Sequence, residues 1–559
     1  MSSRRLRNRI AVVAAAVLVT PLALFVSPVT AEEADASDIT VTYVESARWD
    51  TGYTGEFTVH NASGTDLTDW DIEFELPEGS RIHELWNATL EGTAEDGYTV
   101  APPHWGAVVP AGGTYEFGYN GIHTDGNSHL VDCTVNGSPC AGEPGDGPQH
   151  DSLNVAYFTQ WGVEERDYHV RDLIESGAAE QLTHINYAFG NVGADGECFM
   201  TNEPDEGDAE ADYGRATPAE ESVDGVADGP DQPLRGNFNQ LRKLKELYPH
   251  LDISVSLGGW NWSKHFSDAV LTPESRENLV KSCVDLYLKG DLPEIDGAGG
   301  EGVGYGIFDG IDLDWEWPGS EGNPHNVVRP EDRENFTALV QEFRDQLDEL
   351  GEETGRHFEL SSFMPAGAWR VDAGYELDEI MPNFDFITVQ GYDYNGSWDE
   401  STNHQSNLVA DPDSPGYPDE VITTEGNVEA YLERGVDPDK IVLGVPFYSQ
   451  GWTGVEPGPE GDGLFQPAEG PAPGSFEDGT EDWKVLKELS GFDLYRDDDL
   501  GTAWLYDGET FWTYDDEVSM TQKTDWANEN GLGGVMIWSI DGDDAEGSLL
   551  TAIDAALGR

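Results

Sequence analysis

The run Phe308-Asp-Gly-Ile-Asp-Leu-Asp-Trp-Glu-Trp-Pro318 decides the fold. In an extended chain alternate side chains share a face, so Asp312, Asp314 and Glu316 fall on one side, roughly 7 Å apart, and Ile311 and Leu313 on the other. An acidic surface strand would not set inward acids between Ile, Leu and Trp and then stop at Trp317-Pro318, so this strand is expected to be covered on its apolar side and to hold its acids in a shielded space. Outward from it, β-rich apolar runs alternate with helix-patterned stretches, the signature of a parallel sheet covered by helices. Eight such runs are expected as strands: Leu153–Thr159, Leu182–Phe189, Leu251–Leu257, Gly306–Leu313, His357–Met364, Phe384–Gln390, Lys440–Phe447 and Gly533–Ile540. Eight is the number that closes a (β/α)8 TIM barrel, whose active sites lie at the carboxyl ends of its strands.

Three acids converging at such an end carry chemistry. Like charges packed in a shielded cleft raise the pKa of at least one carboxyl, which leaves a proton donor at neutral pH beside an anion that stabilises positive charge. Glycosidic cleavage needs that pair. Three carboxylates also suit a divalent cation, but no nearby His joins them and no Cys or His cluster has metal-site spacing. Neither a metal nor a cofactor is expected.

The rest of the chain divides around this barrel. Residues 1–31 have a basic start (Arg4, Arg5, Arg7, Arg9), an apolar run from Ile10 and a small-residue site at Val29-Thr30-Ala31, the layout of a secretory signal, with twin-arginine export as one route. Residues 38–140 show short alternating runs such as Ile39-Thr-Val-Thr-Tyr43 and Trp70-Asp-Ile-Glu-Phe74 between Gly, Asn and Pro turns, and are expected to form a β-sandwich with Trp70 in its core. A Gly/Pro linker (141–151) leads into the catalytic domain (152–559). Within it, residues 453–530 are too many for an ordinary loop and are expected to form a small α+β insertion. The acidic stretch from Gly207 to Gln232 is expected to be a solvated lid or wall.

The formal charge is −80, with Lys absent before Lys243. A compact domain so charged repels itself unless molar salt shortens the Debye length to roughly 3 Å. Seventeen Trp and dense apolar strands exclude an acidic disordered chain. The composition resembles that of haloarchaeal proteins. Nucleic acid is excluded as a partner, no membrane span is expected, and a monomer is. Cys133 and Cys140 are close enough to form a small loop, and Cys198 and Cys283 are expected either to pair or to remain buried thiols.

Taken together, these motifs resemble glycoside hydrolase family 18, the chitinases. The signature D-G-x-D-x-D-x-E is complete as Asp309-Gly310-Ile311-Asp312-Leu313-Asp314-Trp315-Glu316. Ser256-Leu257-Gly258-Gly259-Trp260, Tyr392-Asp393 and Gly534-Val-Met-Ile-Trp538 match the family's further motifs in order, and the insertion resembles that of its deep-cleft bacterial members. The resemblance implies a retaining, substrate-assisted reaction with Glu316 as acid and base. Asp314 would hold the acetamido N–H, Tyr392 would steady the acetamido oxygen and Asp312 would tune Asp314. It also implies Trp538 as the floor under the reacting sugar, with Trp260, Trp398, Tyr157, Phe189, Asp393, Gln390 and Ser256 around the substrate. Gln390 stands where the family usually has Met, and Ser449-Gln450 replaces its common Gly-Arg.

The first domain resembles carbohydrate-binding module family 2 through Trp49-Asp-Thr-Gly-Tyr53, Trp86-Asn87, Trp105, Phe117-Gly118 and Asn136-Gly137. That implies a flat platform of Trp49, Trp86 and Trp105 for chitin, chitooligosaccharide or cellulose chains, since exposed aromatic faces stack on pyranose rings without charge. Two other readings stay open: an endo-β-N-acetylglucosaminidase acting on glycans, and a chitin-binding lectin on an inactive barrel, although such lectins lose the acid that Glu316 supplies here.

Overall fold

A computed structural model describes residues 39–49, 52–61, 67, 70–76, 80–93, 97–103, 108–110, 113–122, 131–135, 138–139, 152–417 and 421–558. The expected barrel is there. Its strands are β1 (Leu153–Thr159), β2 (His184–Val192), β3 (Asp252–Gly258), β4 (Gly310–Asp314), β5 (Glu359–Met364), β6 (Phe386–Val389), β7 (Ile441–Pro446) and β8 (Gly534–Trp538). They pair in chain order, and β1 pairs with both β2 and β8, so the sheet closes. Period-two alternation splits the side chains between two cores. Ile311 and Leu313 of β4, Ala156 and Phe158 of β1 and Val535 and Ile537 of β8 pack under the helices. Val155, Tyr157, Met536 and Trp538 fill the barrel interior instead.

β4 starts later than its apolar pattern suggests. Gly306 takes a positive φ of 82°, and the Asp309 carboxylate is committed to the Ile253 N–H, Lys245 and Arg356, so the chain enters the sheet only at Gly310. The helix that follows, Asp332–Thr354, buries Phe336, Leu339, Val340, Phe343, Leu347 and Leu350, a stripe at helical spacing, and ends where Gly355 turns left-handed. Pro273–Cys283, after β3, begins with Pro behind a Thr272–Ser275 capping box.

Between β7 and β8 stands a six-stranded sheet built from segments between Tyr448 and Tyr514. Its small core holds Trp452, Val455, Trp504, Tyr506 and Phe511. Residues Glu517–Glu529 then form the helix that leads into β8. The acidic stretch after β2 differs from the solvated segment expected. Asp212 is 3% exposed and accepts hydrogen bonds from Tyr187 (2.6 Å) and Gln160 (2.5 Å), and Asp228 accepts from Asn239 (2.6 Å). Its acids therefore anchor the segment to the barrel as well as facing water.

The amino-terminal region is a two-sheet antiparallel sandwich. One sheet has the order 39–49, 52–61, 114–122, 81–86, and the other 89–93, 97–101, 72–75, 131–135, 138–139. Trp70 is in its core as expected, stacked on Phe117 at 5.7 Å. Cys198 and Cys283 form a disulfide that ties the strand Cys198–Phe199 to the end of helix Pro273–Cys283. Cys133 is also disulfide-bonded, and Cys140, its expected partner, lies outside the described residues.

Candidate active site

β4 delivers two acids inward, Asp312 wholly buried and Asp314 3% exposed. Asp312 accepts hydrogen bonds from three hydroxyls, two on the adjacent strands, Ser256 of β3 (2.7 Å) and Ser361 of β5 (2.7 Å), and one from across the barrel, Tyr157 of β1 (2.8 Å). Asp314 keeps one carboxylate oxygen, Oδ1, buried with no protein partner. Trp315 then turns outward to stack on Phe266 at 5.5 Å, which returns Glu316 to the cleft side. Ser263 fixes that turn: its hydroxyl donates to the Asp314 carbonyl (3.0 Å) and accepts the Glu316 N–H (2.9 Å). Asn326 donates to the Glu316 carbonyl at 2.6 Å.

The electrostatics follow from this packing. Burial raises Glu316 to about 8, helped by Asp393 and opposed by Arg370. Asp314 is also raised well above its ordinary value, first by burial and then by Glu316 and Asp312. Two carboxyls this close titrate as a pair, and the pair holds a proton at neutral pH. For Asp312 burial raises the pKa, while the three hydroxyl donors pull it back toward the anion. Tyr392, 5% exposed, stacks on Phe363 with ring centroids 6.1 Å apart, and Asp393 accepts from Gln450 Nε2 at 3.1 Å. Gln450, which stands in place of the Arg common in the family, is thus engaged with an acid of the site. Gln390 likewise accepts the Ala366 N–H at 3.2 Å.

These groups open into one cleft of about 1280 Å³. Of the residues expected from the sequence, Glu316, Asp314, Tyr392, Asp393 and Gln390 line it, together with the aromatics Trp538, Tyr157, Phe189 and Trp260. Trp538 is set by its neighbours, stacked on Phe189 at 5.6 Å and edge-on to Tyr157 at 5.1 Å. Asp312 and Ser256 lie beneath the lining. Trp398 stands outside it, 60% exposed, with its indole folded over Gly396, where a Cβ would come within 2.3 Å of the ring. The sequence reading missed Trp161, 6.4 Å from Trp538, and Phe363, both of which line the cleft. Phe363 shares the inward parity of Ser361, a signal that was present; Trp161 follows the end of β1 in a turn, where parity gives none. On the sandwich, Trp86 is half-exposed and lies across Gly118, where a Cβ would meet its ring at 2.5 Å. The Trp49 side chain and Trp105 lie outside the described residues.

The comparisons with known proteins agree with this geometry. Residues 154–543 match the family described as Glycosyl hydrolases family 18, and residues 39–140 match the Cellulose binding domain. Chitinase 63 of Streptomyces plicatus is 32% identical, over 99% of this chain and 100% of that protein. Chitinase A1 of Niallia circulans is 34% identical, over 70% of this chain and 56% of its own length. Among solved structures, the catalytic domain of the psychrophilic chitinase B from Arthrobacter TAD20 is 44% identical with a TM-score of 0.70, covering 73% of this chain and 95% of that one. A barrel with this acid motif, matched over most of its length, places the chain by descent as well as by shape: it belongs to glycosyl hydrolases family 18.

Proposed function

We propose that the chain is an exported, salt-adapted chitinase that cleaves β-1,4 links between N-acetylglucosamine units with retention of configuration. The observation that carries this reading is a buried Asp314 oxygen that lacks a protein donor, beside a Glu316 carboxyl that burial raises to about 8. In the reaction the Glu316 O–H gives its proton to the glycosidic oxygen as the bond from that oxygen to the anomeric carbon breaks. The substrate's own acetamido oxygen closes on the anomeric carbon from the other side, so no enzyme nucleophile is used, an exception to the two-carboxylate scheme. Asp314 Oδ1 accepts the acetamido N–H and balances the positive charge of the oxazolinium ring. Tyr392 holds the acetamido oxygen, and Asp312, fixed by three hydroxyls, keeps Asp314 in place. Water then attacks the anomeric carbon as the bond from that carbon to the acetamido oxygen breaks and the amide re-forms, and it gives a proton to the Glu316 carboxylate, which restores the acid. Trp538, Trp260 and Trp398 supply stacking faces for successive sugars.

The sandwich, with Trp86 presented on its outside, would hold the insoluble polymer, chitin or cellulose, while the cleft works. Among the described residues no helix is long and apolar enough to cross a membrane. The amino-terminal signal would export the chain, as a monomer. The test is product analysis on colloidal chitin in near-saturated salt, with cellulose alongside. Soluble chitooligosaccharides bearing the β-anomer are expected, and cellulose is expected to remain uncut. Cleavage of cellulose at a comparable rate would overturn the substrate-assisted step, because cellulose has no amide. Release of glycans from glycoprotein without attack on chitin would favour the endo-β-N-acetylglucosaminidase reading.

A further inference from the structure

The floor of the barrel, at the other end of the strands from Glu316, holds a set of groups the reaction does not use. His184 opens β2, Asp252 opens β3 and Glu359 opens β5, and one ligand atom from each lies within 4.8 Å of the others. His184 Nε2 is 3.1 Å from Glu359 Oε1 and 3.9 Å from Asp252 Oδ2. Its other ring nitrogen, Nδ1, is 2.7 Å from the Thr183 hydroxyl, which itself donates to the Asn154 carbonyl. Nε2 thus faces two carboxylates, which would hold a cation at that nitrogen, either a proton or a metal ion.

Two further observations favour an ion. Glu359 Oε2 is buried without a partner. Asn186, the next inward residue above His184 on β2, is 1% exposed and leaves both its amide nitrogen and its amide oxygen unpartnered, a donor and an acceptor for a hydrated ion. β4 contributes only Gly310 at this level, because Ser254 Oγ at 2.6 Å and the Glu359 Cβ at 2.8 Å from a Cβ there leave no room for a side chain between β3 and β5. The nearest cations, Lys245 and Arg356, are taken up by Asp309.

We propose that the barrel floor binds one divalent transition-metal ion through His184 Nε2, Asp252 and Glu359, with water completing its shell. Imidazole with two carboxylates suits Zn2+ or Mn2+ rather than an all-oxygen cation site. The ion would staple β2, β3 and β5 around β4, and Thr183 would orient the imidazole as an outer partner does at metal sites.

The test uses the full chain, stripped with a chelator and dialysed against Zn2+ or Mn2+ alone. One ion per chain by elemental analysis is expected, with a higher unfolding temperature. Thr183→Val should weaken binding about tenfold, and His184→Gln should abolish it. If His184→Gln does not fold, Asp252→Asn is read in its place. Failure of the unaltered chain to take up either ion, or uptake unchanged in these variants, would overturn the proposal. Chitin hydrolysis is assayed in parallel, and its loss or survival bears on the cleft and not on the floor site.

Discussion

Strand β4 and the helix Asp332–Thr354 that follows it are both rich in acids, yet the acids do opposite things. In the strand, Asp312 and Asp314 turn inward, lose their water and either gather three hydroxyl donors or keep an oxygen free for substrate. In the helix the apolar stripe takes the inside, and Asp345, Asp348, Glu349, Glu352 and Glu353 stand exposed. In a chain with 109 acids, the number of carboxylates in a segment therefore says little. What separates chemistry from solvation is the period on which the acids fall and the loss of water that follows. Substitutions in the two segments should give effects of different kind and size. The largest is expected for Glu316→Gln, which leaves the shape but removes the transferable proton. Turnover of chitin should fall by about 10³-fold or more, while retention on insoluble chitin is unchanged. Asp314→Asn should follow, with a loss on the order of 10²-fold, since the amide still contacts the acetamido group but brings no charge to meet the oxazolinium.

The pH profile sharpens the comparison further. Glu316 is active as an acid while protonated, so turnover should decline as pH rises through about 8. Asp393 is the charge that most raises it after burial. In Asp393→Asn that repulsion is gone, the proton is held less tightly, and the alkaline limb should move to lower pH; a limb that stays in place or moves up would remove Asp393 from the electrostatics of the site. Stability carries the same sign. A carboxyl raised in the folded state favours folding only while protonated, so its contribution fades as pH rises from the ordinary carboxylate range toward about 8.

Much of this was legible because a strand has a period of two. Once Ile311 and Leu313 were assigned to the helix side, Asp312 and Asp314 had to face inward, and the eight apolar runs gave the barrel before any side chain was placed. Strand ends were less legible. β4 begins at Gly310 because Asp309 is held by partners 64 and 47 residues away, and no local pattern records such a commitment. Ser263, at the start of a short 3-10 helix, and Asn326, in a loop, fix the Asp314–Glu316 turn and meet it only in space. The floor site was hidden for a related reason. His184 and Glu359 are 175 residues apart, and that each is the first inward residue of its strand is known only when the strand's start is known. The sequence reading accordingly expected no metal site.

The smallest effect should come from the helix. Replacing Asp345, Glu349, Glu352 and Glu353 together by Asn and Gln, and leaving Asp348 paired with Arg344, removes four exposed charges that repel one another across about two turns and touch nothing in the cleft. Turnover at high salt should be unchanged. Single surface changes of this kind are worth no more than about 0.5 kcal/mol each, so the shift in unfolding temperature should be a few degrees, and its dependence on salt is informative. At about 0.1 M salt the Debye length of roughly 10 Å lets neighbouring carboxylates on one helix face repel, whereas at about 1 M it shrinks to roughly 3 Å. Neutralisation should therefore stabilise the chain in dilute buffer and lose that advantage in concentrated salt. Equal shifts at both ionic strengths would mean that these acids act through local contacts or hydration, and the contrast between strand and helix would then need a cause other than screened repulsion.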